Sequence, residues 1–250
     1  MPLFDPEAML YHFHNEHVRG TSANFAALSC LSRKHPEDAY ARICKSGRDN
    51  RFRPKVVGFS KSLIARGRYK YAFSHIPQYR VVVPKEATTF TILRDPIQRC
   101  MSLYSTTLAH RRYGKSDSMI EYLPGLSDGA GDFLEFLARL PRQKSMFQLG
   151  MFSSHHNADE AVENIQCVDH VFAGLDETRR LFADTFKDYR GFPVVTQPKT
   201  QLSFTRDDVY RDACKILSEE IAFIHQVVTP KRRSALLYEP DSRTSTYSIY

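Results

Sequence analysis

The stretch TTFTILRDPIQRCMSLY, residues 88–104, decides how this chain folds. Thr88 to Leu93 are β-branched, aromatic or aliphatic without a break, which is strand composition. The run is apolar on both of its faces, so the strand is expected at the centre of a sheet covered on two sides. Its exit is equally explicit. Asp95 is a good N-cap and Pro96 suits the first helical position. Behind them Ile97, Cys100, Met101, Tyr104 and Leu108 recur at helical spacing. A strand therefore passes through a one-residue turn into a helix.

Outward from this junction the same alternation continues. Strands are expected at Met9–His14, Val56–Phe59, Tyr69–Ser74, His170–Ala173 and Val194–Val195, and helices at Thr21–Leu31, Gly131–Leu140, Ala158–Gln166 and Asp176–Phe186. Residues 33–55 read as surface helix and loop. A last long helix opens on a capping-box pattern, Thr205 with Asp208, and carries the stripe Val209, Ala213, Ile216, Leu217, Ile221, Ile224, Val228. Strands alternating with helices predict an α/β fold, a P-loop-like three-layer sandwich with a mostly parallel central sheet flanked by helices. Residues 1–230 are expected to form one domain and 231–250 a polar tail, disordered or draped on the surface. In such a sheet ligands bind beyond the carboxyl ends of the strands. The junctions after His14, Ser74 and Leu93 are thus the places to look for chemistry.

Composition narrows the classes. The 250 residues are 42% hydrophobic and 25% charged, an ordinary globular profile. The first residues lack the basic and apolar regions of a secretory signal, and no run reaches the roughly 20 apolar residues of a spanning helix. The expectation is a soluble, cytoplasmic chain with no membrane segment. Five scattered cysteines without CxxC pairing argue against a disulfide scaffold or a zinc site, and no metal-ligand spacing stands out. The formal charge of +7 suits nucleic acid, anionic lipid, a phosphorylated cofactor or an acidic polysaccharide, and composition does not choose among them. The short Lys231–Arg233 run reads as a solvated helix end, so nucleic acid is not the expected partner. His155-His156 reads as a solvated turn.

Two junctions have the makings of phosphate sites. At the first, His14-Asn15-Glu16-His17-Val18-Arg19-Gly20-Thr21-Ser22, a strand leads into a loop whose Gly-Thr-Ser opens a helix. Backbone N–H groups at a helix start favour an anion, Gly20 permits close approach, and Thr21 and Ser22 add hydroxyls. It is not a Walker A sequence, since GxxxxGK followed by Ser or Thr is absent. At the second, Arg94 leaves the central strand and Ser102 lies about two turns into the helix, roughly 10 Å along its axis. A long arginine folded back could share one phosphate with that serine; the alternative is a surface Arg–Asp pair and an idle serine.

The second junction resembles the 3′-phosphate-binding segment of sulfotransferases that modify carbohydrates, especially the heparan-sulfate 2-O-sulfotransferase type, whose pattern is R-D-P-x-x-R-x-x-S-x-Y. Arg94, Asp95, Pro96, Arg99, Ser102 and Tyr104 match it. HNEHVRGTS resembles the family's H-x-P-K-T-G-G-T-S loop, Phe73-Ser74-His75 its Gly-His segment, and Val171–Glu177 its V-G-L-T-E stretch, in the family's order across residues 9–228.

The resemblance implies a donor, 3′-phosphoadenosine-5′-phosphosulfate, and a hydroxyl-bearing acceptor such as an oligosaccharide, with no metal. It implies that the donor's 5′ side lies on His17, Val18, Arg19, Gly20, Thr21 and Ser22, and its 3′-phosphate on Arg94, Ser102 and Arg99. Lys199 and Thr200 resemble a late segment near the nucleotide, and His75 would be the general base. One departure stands out. The family's loop lysine aligns with His17 and its first glycine with Arg19. Either His17 is protonated beside the donor, or Arg19 supplies the charge, or the loop binds poorly and the protein is inactive. Two other readings compete: a nucleotide-binding kinase-like enzyme on the same sheet, and a non-catalytic paralogue that binds polyanions or glycans.

Overall fold

In a computed structural model of the protein, residues 9–18, 20–32, 36–47, 56–193 and 199–228 are described. In chain order the elements are β1 (Met9–Phe13), α1 (Gly20–Ser32), α2 (Pro36–Ser46), β2 (Val56–Gly58), α3 (Lys61–Ala65), β3 (Tyr71–Ser74), β4 (Ala87–Ile92) and α4 (Pro96–Arg112). They continue with α5 (Ala130–Arg139), α6 (Arg142–Ser145), α7 (Phe147–Phe152), α8 (Ala158–Ile165), β5 (His170–Phe172), α9 (Arg179–Thr185), α10 (Arg206–Ile216) and α11 (Ser218–Val227). The five strands pair in the order β2-β3-β1-β4-β5, all parallel. The fold is α/β, with helices on both sheet faces, as expected.

The two-residue period of the strands sorts their side chains between those faces. Leu10, Tyr71, Phe73, Phe90 and Ile92 pack with α1, α2 and α9. Tyr11, Phe13, Val57 and Ala72 pack with α7, α8 and α11 on the other side. A third cluster joins the outer face of α4 (Cys100, Tyr104, Leu108) to Phe133 and Phe136 of α5 and Val209 of α10. At full burial each such aliphatic or aromatic side chain contributes about 1.5–3 kcal/mol.

The register positions the chemistry. Phe13 pairs with Ser74 on one side and Thr91 on the other, so β1, β3 and β4 end level. His14, His75 and Arg94 therefore emerge along one edge of the sheet. The β4–α4 junction is as expected: the Asp95 side chain accepts from the Gln98 amide at 2.9 Å and Pro96 opens the helix.

Two expectations change. The last helix is not continuous. It keeps its capping box at Thr205 and Asp208 but breaks at Leu217, where φ −102° and ψ 15° leave the helical region. The break lets α10 pack on α5 while α11 turns to the sheet, so one apolar stripe serves two cores. The segment expected as one helix from Asp176 to Phe186 begins as a 3₁₀ turn over Asp176–Thr178. The short strand at Val194–Val195, the tail after residue 230 and the Lys231–Arg233 run lie outside the described residues. Among the described residues no helix is long and apolar enough to cross a membrane.

Candidate functional site

Two clefts open at the carboxyl ends of the central strands, and His75 lines both. The first, of about 270 Å³, takes Glu16 and His17 from the loop after β1, Thr21 and Ser22 from the start of α1, Arg94 from the end of β4, Ser102 from α4, and Lys199. Thr21, Ser22, Arg94, Ser102 and Lys199 thus offer hydroxyl or cationic donors to one space. The residues of the two phosphate-type junctions, far apart in sequence, meet there.

The loop between β1 and α1 is tied down by its own polar groups. The Asn15 amide donates to Thr91 Oγ1 (2.9 Å) and to the Ile92 carbonyl (3.0 Å), fastening the loop to β4. Arg94 Nη1 donates to the His17 carbonyl at 3.1 Å, linking the two junctions directly. Gln148 brackets the Arg94 backbone, accepting from its N–H (2.7 Å) and donating to its carbonyl (3.0 Å). His17 itself turns the chain with φ 60°. Among the described residues the other non-glycine positions with positive φ are Phe59, whose ring lies 5.3 Å from His75, and His156, which lines the second cleft. Strained backbone of this kind concentrates at sites where geometry is imposed.

Beneath the helix start lies a buried histidine pair. Tyr71 Oη donates to Asn24 Oδ1 (2.7 Å) and His12 Nδ1 does so at 3.1 Å, leaving the Asn24 amide to donate to His14 Nδ1 (3.1 Å). His14 therefore accepts at Nδ1 and carries its proton on Nε2. It is 3% exposed, and what is exposed faces the first cleft. Burial pushes His12 down to about 3 and His14 well below the ordinary imidazole range, so both rings are neutral.

His75 is set up differently. Its Nδ1 lies 2.6 Å from the His14 carbonyl. A carbonyl can only accept, so Nδ1 holds the hydrogen and Nε2 keeps its lone pair. The rings of His14, Phe59 and Phe147 surround it at centroid distances of 4.4, 5.3 and 5.9 Å. Burial lowers its basicity, while Glu16 and the His14 carbonyl work in the opposite direction.

The remaining expected site residues divide. His17 lines the cleft but is neutral, pushed down to about 3 by burial first and then by Arg99, Lys199, Arg94 and His75. The cleft's positive charge comes from Arg94 and Lys199 instead. Arg19 lies outside the described residues. Val18 is buried in the core, and Gly20 forms the first residue of α1 under the His14 ring. Thr200 exchanges hydrogen bonds with Ser105, 3.1 Å from its N–H and 2.5 Å to its carbonyl, and so pins Lys199 at the mouth without lining the cleft.

Arg99 is a correction. Expected on the 3′-phosphate, it is 1% exposed and pairs with Glu220 at 3.2 Å, with further bonds to the Lys144 and Ser145 carbonyls. A guanidinium this deep is held by the partners that offset its desolvation. It reaches the cleft through its field on His17.

Three lining residues were not singled out from the sequence. His14 is the first residue of the loop pattern, which was a usable signal. Glu16 occupies the family's proline position, so the departure itself pointed to it. Tyr40, which hydrogen-bonds Thr21 and Asn24, sits in a weakly periodic stretch with no such signal.

The second cleft, of about 260 Å³, lies across His75 and is lined by Tyr79, Arg80, Lys144, Phe147 and His156 among others. Of the two adjacent histidines expected in a solvated turn, His155 is exposed and pairs with Glu160, whereas His156 faces this cleft. No protein-family model matches the chain, and no curated protein matches it.

Proposed function

We propose that the protein is a sulfotransferase that moves a sulfuryl group from 3′-phosphoadenosine-5′-phosphosulfate to an acceptor hydroxyl, probed first among carbohydrates. The observation that carries the reading is the convergence of Arg94, Ser102, Thr21, Ser22 and Lys199 on one cleft beside His75. Hydroxyls, a guanidinium and an ammonium suit phosphate oxygens. Glu16, the one carboxylate lining the cleft among the described residues, is already paired with Lys144 at 3.2 Å. In this reading Arg94 and Ser102 hold the 3′-phosphate, and Thr21 and Ser22 hold the 5′ side at the start of α1.

The donor supplies the sulfuryl group, whose bond to the bridging phosphate oxygen breaks as phosphoadenosine phosphate leaves. The acceptor hydroxyl enters from the second cleft and bonds to sulfur, and its proton goes to the lone pair on His75 Nε2. Lys199 is the cation assigned to the charge that builds on the departing 5′-phosphate. The His14 Nε2–H is a neutral donor on the same wall.

A second reading, donor binding without transfer, is favoured by one observation: the neutral His17 stands where the resembled family has a lysine. Calorimetry with phosphoadenosine phosphate, compared with ATP–Mg²⁺, tests the nucleotide class. Transfer of labelled sulfate to glycans, phenols and small alcohols tests the reaction. Micromolar binding of phosphoadenosine phosphate with transfer to one acceptor class supports the proposal. Preference for ATP–Mg²⁺ sinks it, and binding with no transfer across the panel leaves the binding-only reading.

A further inference from the structure

The partition between the two clefts is built from an ion pair with one member on each side. Lys144 Nζ lies 3.2 Å from both carboxylate oxygens of Glu16. Glu16 lines the first cleft, Lys144 the second, and His75 both. Among the described residues Arg80, Lys144 and His156 line the second cleft and no carboxylate does, so an anion placed there competes for Lys144 with Glu16 alone.

We infer that Glu16 and Lys144 are a positioning pair that couples occupancy of the second cleft by an anionic acceptor to the proton affinity of His75. An anion that draws Lys144 away from Glu16 leaves the carboxylate facing His75 unopposed, and the imidazole becomes a stronger base when its substrate is in place. Two opposite charges at contact distance interact far more strongly in a partly buried site than in water, so the exchange of partners is felt by a neighbouring ring. The directions agree: burial lowers His75, Glu16 raises it and Lys144 lowers it.

His75 faces other groups that bear on its titration. His14 adjoins it from just after β1, with His12 of β1 stacked behind, and His17 and Glu16 of the following loop line the same cleft. Lys144 comes from α6, Arg80 and His156 lie across the second cleft, and Arg94 and Lys199 across the first. His12 and His14 stay neutral, and of the cations lining the second cleft Lys144 is the one bonded to Glu16.

The consequence for turnover rests on His75 being the base of the proposed transfer, but the coupling itself is read without turnover. The test is an NMR titration of histidine-labelled full-length protein, with the His75 resonance assigned by its loss in His75→Asn. Glu16→Gln lowers the His75 midpoint by about half a pH unit, threefold in proton affinity, and Lys144→Met raises it by a similar amount. Benzoate, a flat-ring carboxylate suited to the walls of Tyr79 and Phe147, raises the midpoint in the natural protein and leaves Lys144→Met unmoved. Should Glu16→Gln fail to fold, Lys144→Met with and without benzoate carries the test alone. Midpoints indifferent to Lys144→Met, or a benzoate shift that persists in that variant, overturn the pair. Loss of the proposed transfer reaction with these shifts intact overturns the reaction and leaves the pair standing.

Discussion

Arg94 illustrates how much one side chain can be asked to do. Its main chain is gripped by Gln148, its Nη1 holds the His17 carbonyl, and the side chain lines the first cleft. Arg94→Ala is expected to weaken binding of phosphoadenosine phosphate by about 2–4 kcal/mol, the range for truncating one partner of a charged hydrogen bond. Calorimetry reads this directly, and unchanged affinity removes Arg94 from the site. For His75 the expectation is a split. Its Nε2 is available and its Nδ1 committed to a carbonyl, so His75→Asn should cut turnover by about 100-fold or more while leaving donor affinity within a few fold. Equal turnover in the variant would exclude it as the base.

At the scale of elements, the approach of α1 to β1 depends on the absence of a side chain. A Cβ at Gly20 would stand 2.3 Å from His14 Cδ2 and 2.6 Å from its Nε2, inside the contact distance of any pair of heavy atoms. The ring cannot yield, because Asn24 and the stacked His12 hold it. Gly20→Ala should therefore lower the melting temperature and also weaken binding of phosphoadenosine phosphate, since the helix start and His14 must separate. A variant with the natural melting point and affinity would show the contact to be soft. A second joint ties α4 to α11. Glu220 is fully buried between Arg99 (3.2 Å) and the Gln148 amide (2.8 Å), and Gln148 in turn brackets Arg94. Glu220→Ala leaves a buried guanidinium without its carboxylate and should cost about 3–5 kcal/mol in denaturant unfolding. A loss below 1 kcal/mol would mean that the Lys144 and Ser145 carbonyls suffice to hold Arg99.

For the molecule as a whole, acid stability follows from the buried rings. His12 and His14 are neutral in the folded protein, with His12 at about 3 and His14 well depressed, both by burial first. Their unfolded value is near 6.5. Below that pH the unfolded chain takes up protons that the folded chain refuses, so stability falls as pH drops from about 6.5 toward 4 and is level above it. Together with His17, which is also held down to about 3 by burial, the two rings should lower unfolding free energy by about 4 kcal/mol at pH 5.5 relative to pH 7.5. Urea denaturation at the two values measures it, and a flat profile would show that the rings become protonated without unfolding.

The class of fold was written in local signals: the uninterrupted β-branched run before Arg94, the Asp95-Pro96 cap, the capping box at Thr205, and the alternation of periods. These are short-range preferences, and each reports on the few residues around it. The chemical type of the Gly-Thr-Ser start and of the Arg94–Ser102 segment, hydroxyls and a guanidinium at strand–helix junctions, was legible for the same reason. Their meeting was decided by the level ends of three parallel strands, since sheet register brings together residues that chain distance keeps apart. The break at Leu217 was settled by two cores competing for one stripe. The burial of Arg99 was settled by the partners that α11 and the α6 carbonyls bring to it, and the neutrality of His17 by desolvation, both of which depend on what the fold packs around a group and not on its sequence neighbourhood. So the chain's local grammar determined which elements form and at which junctions the hydroxyl and cationic residues sit. Only the packed structure decided which of those side chains face the cleft, and with what charge.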